Sequence, residues 1–184
     1  MKFIVAITGA SGALYAQRLL DHLRAQEVHL VLSDPAKEVA AEELDGGKLV
    51  ATAGVVRHDN RSMRAPFVSG SAKFDAMIVI PCSMGTLGRI ANGVSDDVIC
   101  RAADVFLKER RKLILVPRET PYNLIHVRNM ARLIEAGADI IPASPSFYNR
   151  PQTVQQVVDT VVARVLDHLG IRHKLAKRWM EKES

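Results

Sequence analysis

K-F-I-V-A-I-T-G-A-S-G-A-L-Y-A-Q-R-L-L (Lys2–Leu20) reads as strand, tight turn and helix. Lys2 to Ile7 is a short apolar run rich in β-branched residues, the composition of a strand buried on both faces. Thr8-Gly9-Ala10-Ser11-Gly12 follows, then A-L-Y-A-Q-R-L-L-D-H-L (13–23), whose apolar residues return at helical spacing. Small residues in the turn let the backbone pass close to a ligand, and a helix starting there leaves N–H groups that attract phosphate. The turn lacks the G-x-G-x-x-G dinucleotide fingerprint, and small residues here serve equally to fit the chain reversal.

Working outward, the alternation continues. Val28–Ser33 is a second strand, and Pro35 suits the first turn of a helix over 36–44 that stops at Asp45-Gly46-Gly47. Residues 48–73 show no clear period and read as loop, with R-S-M-R-A-P (61–66) lying over a site. Phe74–Pro81 is a third strand ending in Pro81-Cys82-Ser83-Met84-Gly85-Thr86, followed by helical stretches over 86–92 and 96–111. The second stretch has Arg101 and Lys108 two turns apart on one face. Lys112–Pro117 is a fourth strand ending in Arg118-Glu119-Thr120-Pro121. A helix over 122–136 closes at Gly137, Ala138–Pro142 is a fifth strand leading to Tyr148, and a last helix runs from Thr153 to Leu169.

Strands alternating with helices predict an α/β fold, a mainly parallel sheet covered on both sides. Ligands of such sheets bind outside the carboxyl ends of the strands. All five expected strands deliver small or reactive residues to that edge: T-G-A-S-G, S-D-P, P-C-S-M-G-T, P-R-E-T-P and P-A-S-P-S-F-Y. Together, and with Arg118 among them, they describe a pocket for a phosphorylated ligand.

The totals fit this. The 184 residues suit one domain with a full core, and 48% hydrophobic with 24% charged is globular. The initial apolar run is too short for a signal peptide, and none approaches a membrane span, so a cytoplasmic protein is expected. Of the net charge of +5, the segment from Ile171 holds +3 (Arg172, Lys174, Lys177, Arg178 and Lys182 against Glu181 and Glu183). The remainder is spread thinly, with no basic face or aromatic ladder for nucleic acid. Cys82 and Cys100 form no C-x-x-C pair, and the six histidines lack metal-ligand spacing.

T-G-A-S-G-A, P-C-S-M-G-T-L, R-A-A-D-V-F-L-K-E-R-R, L-V-P-R-E-T-P, F-Y-N-R-P-Q, V-A-R-V-L and a final R-W resemble, in order and over nearly the whole chain, the flavin prenyltransferases of the UbiX type. The resemblance implies a flavodoxin-like (Rossmann-like) three-layer fold over residues 1–184, with 171–184 a tail closing the site or contacting a neighbour. It implies bound FMN, no metal, and a homo-oligomer, typically a dodecamer, whose active sites are shared between subunits. The reaction would join a dimethylallyl group from dimethylallyl monophosphate to reduced FMN at N5 and C6, and the prenylated FMN would serve a UbiD-type decarboxylase.

By resemblance, Gly9, Ala10, Ser11, Ser33, Ser83, Met84, Gly85 and Thr86 contact FMN, and Arg118 binds its phosphate end. Lys108, Tyr148 and Arg164 hold the phosphate of the prenyl donor, with Arg101 nearby and Trp179 in the closing tail. Ser11, Glu119 and Lys108 are the catalytic candidates: Ser11 at N5, Glu119 as acid/base, Lys108 on the departing phosphate. Each has a plainer reading. Lys108 would serve as a solvated base at a helix end, Glu119 as a turn residue paired to Arg118, Arg164 as a surface residue, Tyr148 as core and Trp179 as an oligomer contact. Two departures touch the loops: the segment from Leu44 to Val55 is short for the family, and Asp34-Pro35 stands where Lys-Ala is common. Two other functions are weighed. One is the FMN-dependent cysteine decarboxylases of the sister family, whose P-A-S-A-N-T and P-x-M-N-x-x-M-W signatures are missing here. The other is a non-catalytic flavin-binding module, which would not need the Lys108, Tyr148 and Arg164 cluster.

Overall fold

The computed structural model describes residues 1–51 and 54–175. Among these, six strands form one parallel sheet: β1 (Lys2–Ile7), β2 (Glu27–Leu32), β3 (Val56–Asp59), β4 (Ala76–Cys82), β5 (Lys112–Pro117) and β6 (Asp139–Ile140), in the order β3-β2-β1-β4-β5-β6. The helices are α1 (Ala13–His22), α2 (Asp34–Glu43), α3 (Met84–Ala91), α4 (Val98–Lys108), α5 (Leu124–Glu135) and α6 (Val154–His168). Residues of α1, α6 and Ala36 of α2 pack with Phe3, Val5, Ile7 and Ile78 on one face; α3, α4 and Leu133 of α5 pack with Ile4, Ala6, Met77 and Val79 on the other. This is the expected three-layer α/β architecture.

One strand more is present than the sequence predicts. Val56–Asp59 lies in the stretch read as loop, yet pairs with β2 in the register His29↔Val56 to Leu32↔Asp59. As an edge strand it leaves Val56, Arg57 and Asp59 exposed, so it carries no apolar run to signal it. Side-chain caps set several helix starts: Ser33 Oγ accepts from Ala36 N at 3.2 Å, Ser83 Oγ from Thr86 N at 3.3 Å, and Asp97 Oδ1 from Cys100 N at 2.7 Å. Each such cap is worth about 0.5–2 kcal/mol. The caps move the starts of α2 and α3 to Asp34 and Met84, earlier than periodicity alone predicts.

The chain winds outward from β1 to β3, crosses back to β4, and winds the other way to β6. The winding therefore reverses between β1 and β4, the crevice where open sheets of this kind bind ligands. Among the described residues no helix is long and apolar enough to cross a membrane.

Candidate active site at the reversal of the sheet

Thr8 closes the floor of that crevice. It is 1% exposed; its Oγ1 donates to the Pro81 carbonyl at 2.9 Å and accepts from Ser83 N at 2.7 Å. The turns after β1 and β4 are thus tied together at their first residues. Above Thr8, a Cβ on Gly9 would collide with Pro35, so the start of α2 can lie against the turn only because Gly9 is there. Gly12 has φ +120, a conformation side chains rarely adopt, and a Cβ there would also lie 2.7 Å from the Tyr15 ring.

The N-terminus of α1 is not open to an anion, as the sequence suggested. Glu43, from the last turn of α2, accepts from both Gly12 N and Ala13 N at 2.8 Å. Burial opposes its charge, but hydrogen bonds from the Ser11 hydroxyl and these two N–H groups, together with the field of Arg118, hold its carboxyl below its ordinary range. A carboxylate already fills the place a phosphate would take. Ser11, Glu43 and Arg118 therefore form one polar cluster at the reversal point. Half-buried Tyr15 borders it: burial raises its hydroxyl pKa, and Arg118 works the other way. Sequence reasoning missed Glu43, because a second acid at the end of an amphipathic helix has no distinguishing local signal. Tyr15 sat in the first motif as one more helix residue.

The turn after β4 faces two ways. Met84 and Thr86 are 7% and 4% exposed, and Thr86 Oγ1 accepts from Ser83 Oγ at 3.1 Å, so both side chains point into the protein. Gly85 is exposed, and a Cβ there would meet nothing within 4 Å, so this turn offers main chain to a ligand. The half-buried Ser33 is engaged in capping α2, at the end of β2. Arg118 and Glu119 are exposed at the end of β5; Arg118 N donates to Cys82 O at 3.3 Å and Glu119 accepts from Thr120 N at 2.9 Å. Burial pushes the Cys82 thiol up to about 12, which makes it inert as a nucleophile.

The candidates for prenyl-donor phosphate are not gathered within one chain. Ala143 N bonds Pro117 O at 2.9 Å, so the loop to Tyr148 leaves at the same edge as Arg118. Lys108 ends α4, just before β5 begins at Lys112. The length of β5, about 20 Å at the usual rise, separates that end from Arg118. Arg101 lies two turns up α4, its Nε donating to Val68 O at 3.1 Å and its Nη1 paired with Asp104 at 2.8 Å. Arg164 is on α6, in the opposite helical layer, paired with Asp167 at 3.2 Å. The motifs bring together Ser11, Ser83, Arg118 and Glu119 and leave Arg101, Lys108 and Arg164 apart. Trp179 lies outside the described residues.

Residues 1–166 match the flavoprotein family model. A protein of Methanocaldococcus jannaschii called flavin prenyltransferase UbiX is 50% identical over 181 residues, covering 97% of this chain and 98% of that one. The chain belongs to the UbiX flavin prenyltransferase family. Two solved members superpose with TM-scores of 0.92: a dodecameric FMN-dependent UbiX-like decarboxylase from Escherichia coli O157:H7, 45% identical, covering 98% of this chain and 100% of that one; and AnUbiX (PadA1) in complex with FMN and dimethylallyl pyrophosphate, 41% identical, covering 99% and 98%. The likeness to the peptidyl-cysteine decarboxylase EpiD, 20% identical with a TM-score of 0.63, is one of fold. Pro35 fills the hollow over Gly9, and Asp34 pairs with both Lys37 and Arg61, tying the loop after β3 to the start of α2.

Proposed function

We propose that this chain is a flavin prenyltransferase that joins the dimethylallyl group of dimethylallyl monophosphate to reduced FMN, at N5 and C6, and passes the prenylated FMN to a UbiD-type decarboxylase in the cytoplasm. The observation that carries the reading is the cluster of Ser11, Glu43 and Arg118 at the sheet reversal, in a chain half identical to a flavin prenyltransferase. The binding of FMN and a dimethylallyl phosphate ester by AnUbiX supports the same pair of ligands here. The crevice suits a flavin nucleotide: the open face of Gly85 admits a flat ring, and exposed Arg118 offers a fork for a phosphate.

Reduced FMN supplies the electron-rich ring positions; the chain supplies position, charge and proton acceptors. Ser11 donates its hydroxyl hydrogen to Glu43, so its lone pairs are turned outward to accept a hydrogen bond at N5. Glu119 takes the proton that leaves C6 when the new ring closes. Arg101, Lys108, Tyr148 and Arg164 hold the donor phosphate and stabilise its departure, each charged hydrogen bond contributing roughly 1.5–3 kcal/mol.

Because one chain keeps Lys108 and Arg118 apart, we assign the second half of the site to a neighbouring subunit of a homo-oligomer, with the dodecameric relative as its pattern. The apolar residues on the outer face of α5, Leu124 and Ile125 at 61% and 67% exposed, are the surface such contacts would cover. We assign residues 1–184 to one unit, and to the tail 171–184, Trp179 included, the role of closing the site or contacting a neighbour.

The test is anaerobic incubation with reduced FMN and dimethylallyl monophosphate, followed by mass spectrometry of the released flavin. A gain of one isoprene unit is expected; an unchanged FMN mass overturns the proposal.

A further inference from the structure

Away from the crevice, two histidines form a directed hydrogen-bonded chain. His29 of β2 is 6% exposed, with Nε2 3.0 Å from Glu27 Oε1 and Nδ1 2.8 Å from His58 Nε2 on β3. The two rings lie within 12° of parallel, edge to edge, with centroids 5.0 Å apart. Phe67 presses edge-on at 5.9 Å from His29 and 4.9 Å from His58, and Phe74 at 4.9 Å from His29. An ionised carboxylate only accepts, so His29 Nε2 bears the hydrogen that Glu27 receives. Neutral His29 is then an acceptor at Nδ1, and His58 must donate through Nε2. Both tautomers are fixed by this chemistry.

The chain admits one added proton, on His58 Nδ1. A second would set N–H against N–H across the 2.8 Å contact and put two like charges between phenyl walls. The charged residues carried by the elements around the pair are Glu27 on β2, Lys2 on β1, Arg57 and Asp59 on β3, Lys73 and Asp75 next to Phe74 in sequence, and Arg101 and Asp104 on α4. Lys2 lies 2.9 Å from Glu27 and 4.5 Å from the Phe74 centroid, adding to the positive field.

Phe67 connects this pair to the prenyl-donor side. It sits in the single turn Pro66–Val68, whose Val68 carbonyl receives Arg101 Nε at 3.1 Å. The same segment gives its Gly70 carbonyl to Arg111 Nη2 at 2.6 Å and runs so close to the end of α4 that a Cβ on Gly70 would lie 2.9 Å from Lys108 Nζ.

We propose that His29 and His58, acting through Phe67, position segment 66–72 and with it Arg101 and Lys108, and that acid releases this support when the pair takes up its second proton. The link to catalysis rests on the assignment of Arg101 and Lys108 to the prenyl donor. Burial, and then His29, hold His58 below its ordinary 6.5, in agreement with this order. The folded state favours neutral His58, so the first proton enters only as pH falls below 6.5, and the support, which that proton leaves in place, is lost in more acid solution when the second enters.

The test compares the protein with His58→Gln, which keeps an N–H for His29 but cannot titrate. From about pH 7.5 to about pH 5.5 the prenyl-donor KM of the unaltered protein should rise about threefold more than that of the variant, while FMN affinity changes equally in both. Over the same range the amides of 68–72, corrected for intrinsic exchange, should lose protection in the unaltered protein only. Equal KM ratios, or equal protection, overturn the proposal. Protection that depends on pH in a protein forming no adduct retains the His–loop coupling and overturns the prenyltransferase reading instead. Should His58→Gln fail to fold, Phe67→Leu provides the second test: a raised donor KM at about pH 7.5 with unchanged FMN affinity is expected, and an unchanged KM overturns the proposal.

Discussion

Thr8 reaches Ser83 across the boundary between β1 and β4, accepting from its N–H at 2.7 Å while donating to Pro81 O at 2.9 Å. One buried hydroxyl satisfies a main-chain acceptor and a main-chain donor on the neighbouring strand. Thr8→Val keeps the shape and leaves Ser83 N–H unpaired, while Pro81 O retains its bond from the main-chain N–H of residue 8 at 3.3 Å. At about 1–3 kcal/mol for a buried unsatisfied group, a loss of that size is expected by urea denaturation, with weaker FMN binding as the two turns separate. A loss under half a kcal/mol would mean that water replaces the hydroxyl.

Arg118→Ala removes the exposed guanidinium from the end of β5. FMN affinity should fall by about 1.5–3 kcal/mol, roughly ten- to a hundredfold, as measured by fluorescence titration. Unchanged affinity takes Arg118 out of the phosphate site.

Glu43→Gln leaves an oxygen for Gly12 N and Ala13 N and removes the charge. The carboxyl is held below its ordinary 4.5, so its contribution to stability is present above that pH and is lost as pH falls through the folded value. The variant should be less stable at neutral pH by about 0.5–1 kcal/mol, the lower part of the capping range, because the carboxylate is open to solvent. In thermal melts the gap should close in acid. Adduct formation should slow at neutral pH, since Ser11 loses its anionic partner, and this gap too should close in acid.

Glu119→Gln should keep FMN affinity and slow the closing of the new ring. Single-turnover mass spectrometry at a normal rate excludes the acid/base role.

Gly9→Ala drives a methyl into Pro35. Overpacking of this kind costs about 1–3 kcal/mol, and the turn that faces the flavin must shift to relieve it. A lower urea midpoint and a weaker FMN complex are expected together. Loss of stability alone would place the strain elsewhere.

The layered fold was legible because its central strands are buried on both faces and read as unbroken apolar runs, Ala76–Cys82 above all. The edge strand Val56–Asp59 was not, because three of its four residues face solvent. At the site, the turns with Ser11, Ser83 and Arg118 were legible from small residues at strand ends. Glu43 was not, since only the packing of α2 against α1 brings its carboxylate to Gly12. The separation of Lys108 from Arg118 follows from the direction of α4, which a motif read along the chain does not state.

That separation has a genetic consequence. Lys108→Ala and Arg118→Ala would each inactivate every copy of a uniform assembly, by opposite halves of a composite centre. Co-expressed, the two defective polypeptides would complement each other: some junctions would pair an intact lysine from one parent with an intact arginine from the other, and a fixed fraction of turnover would return.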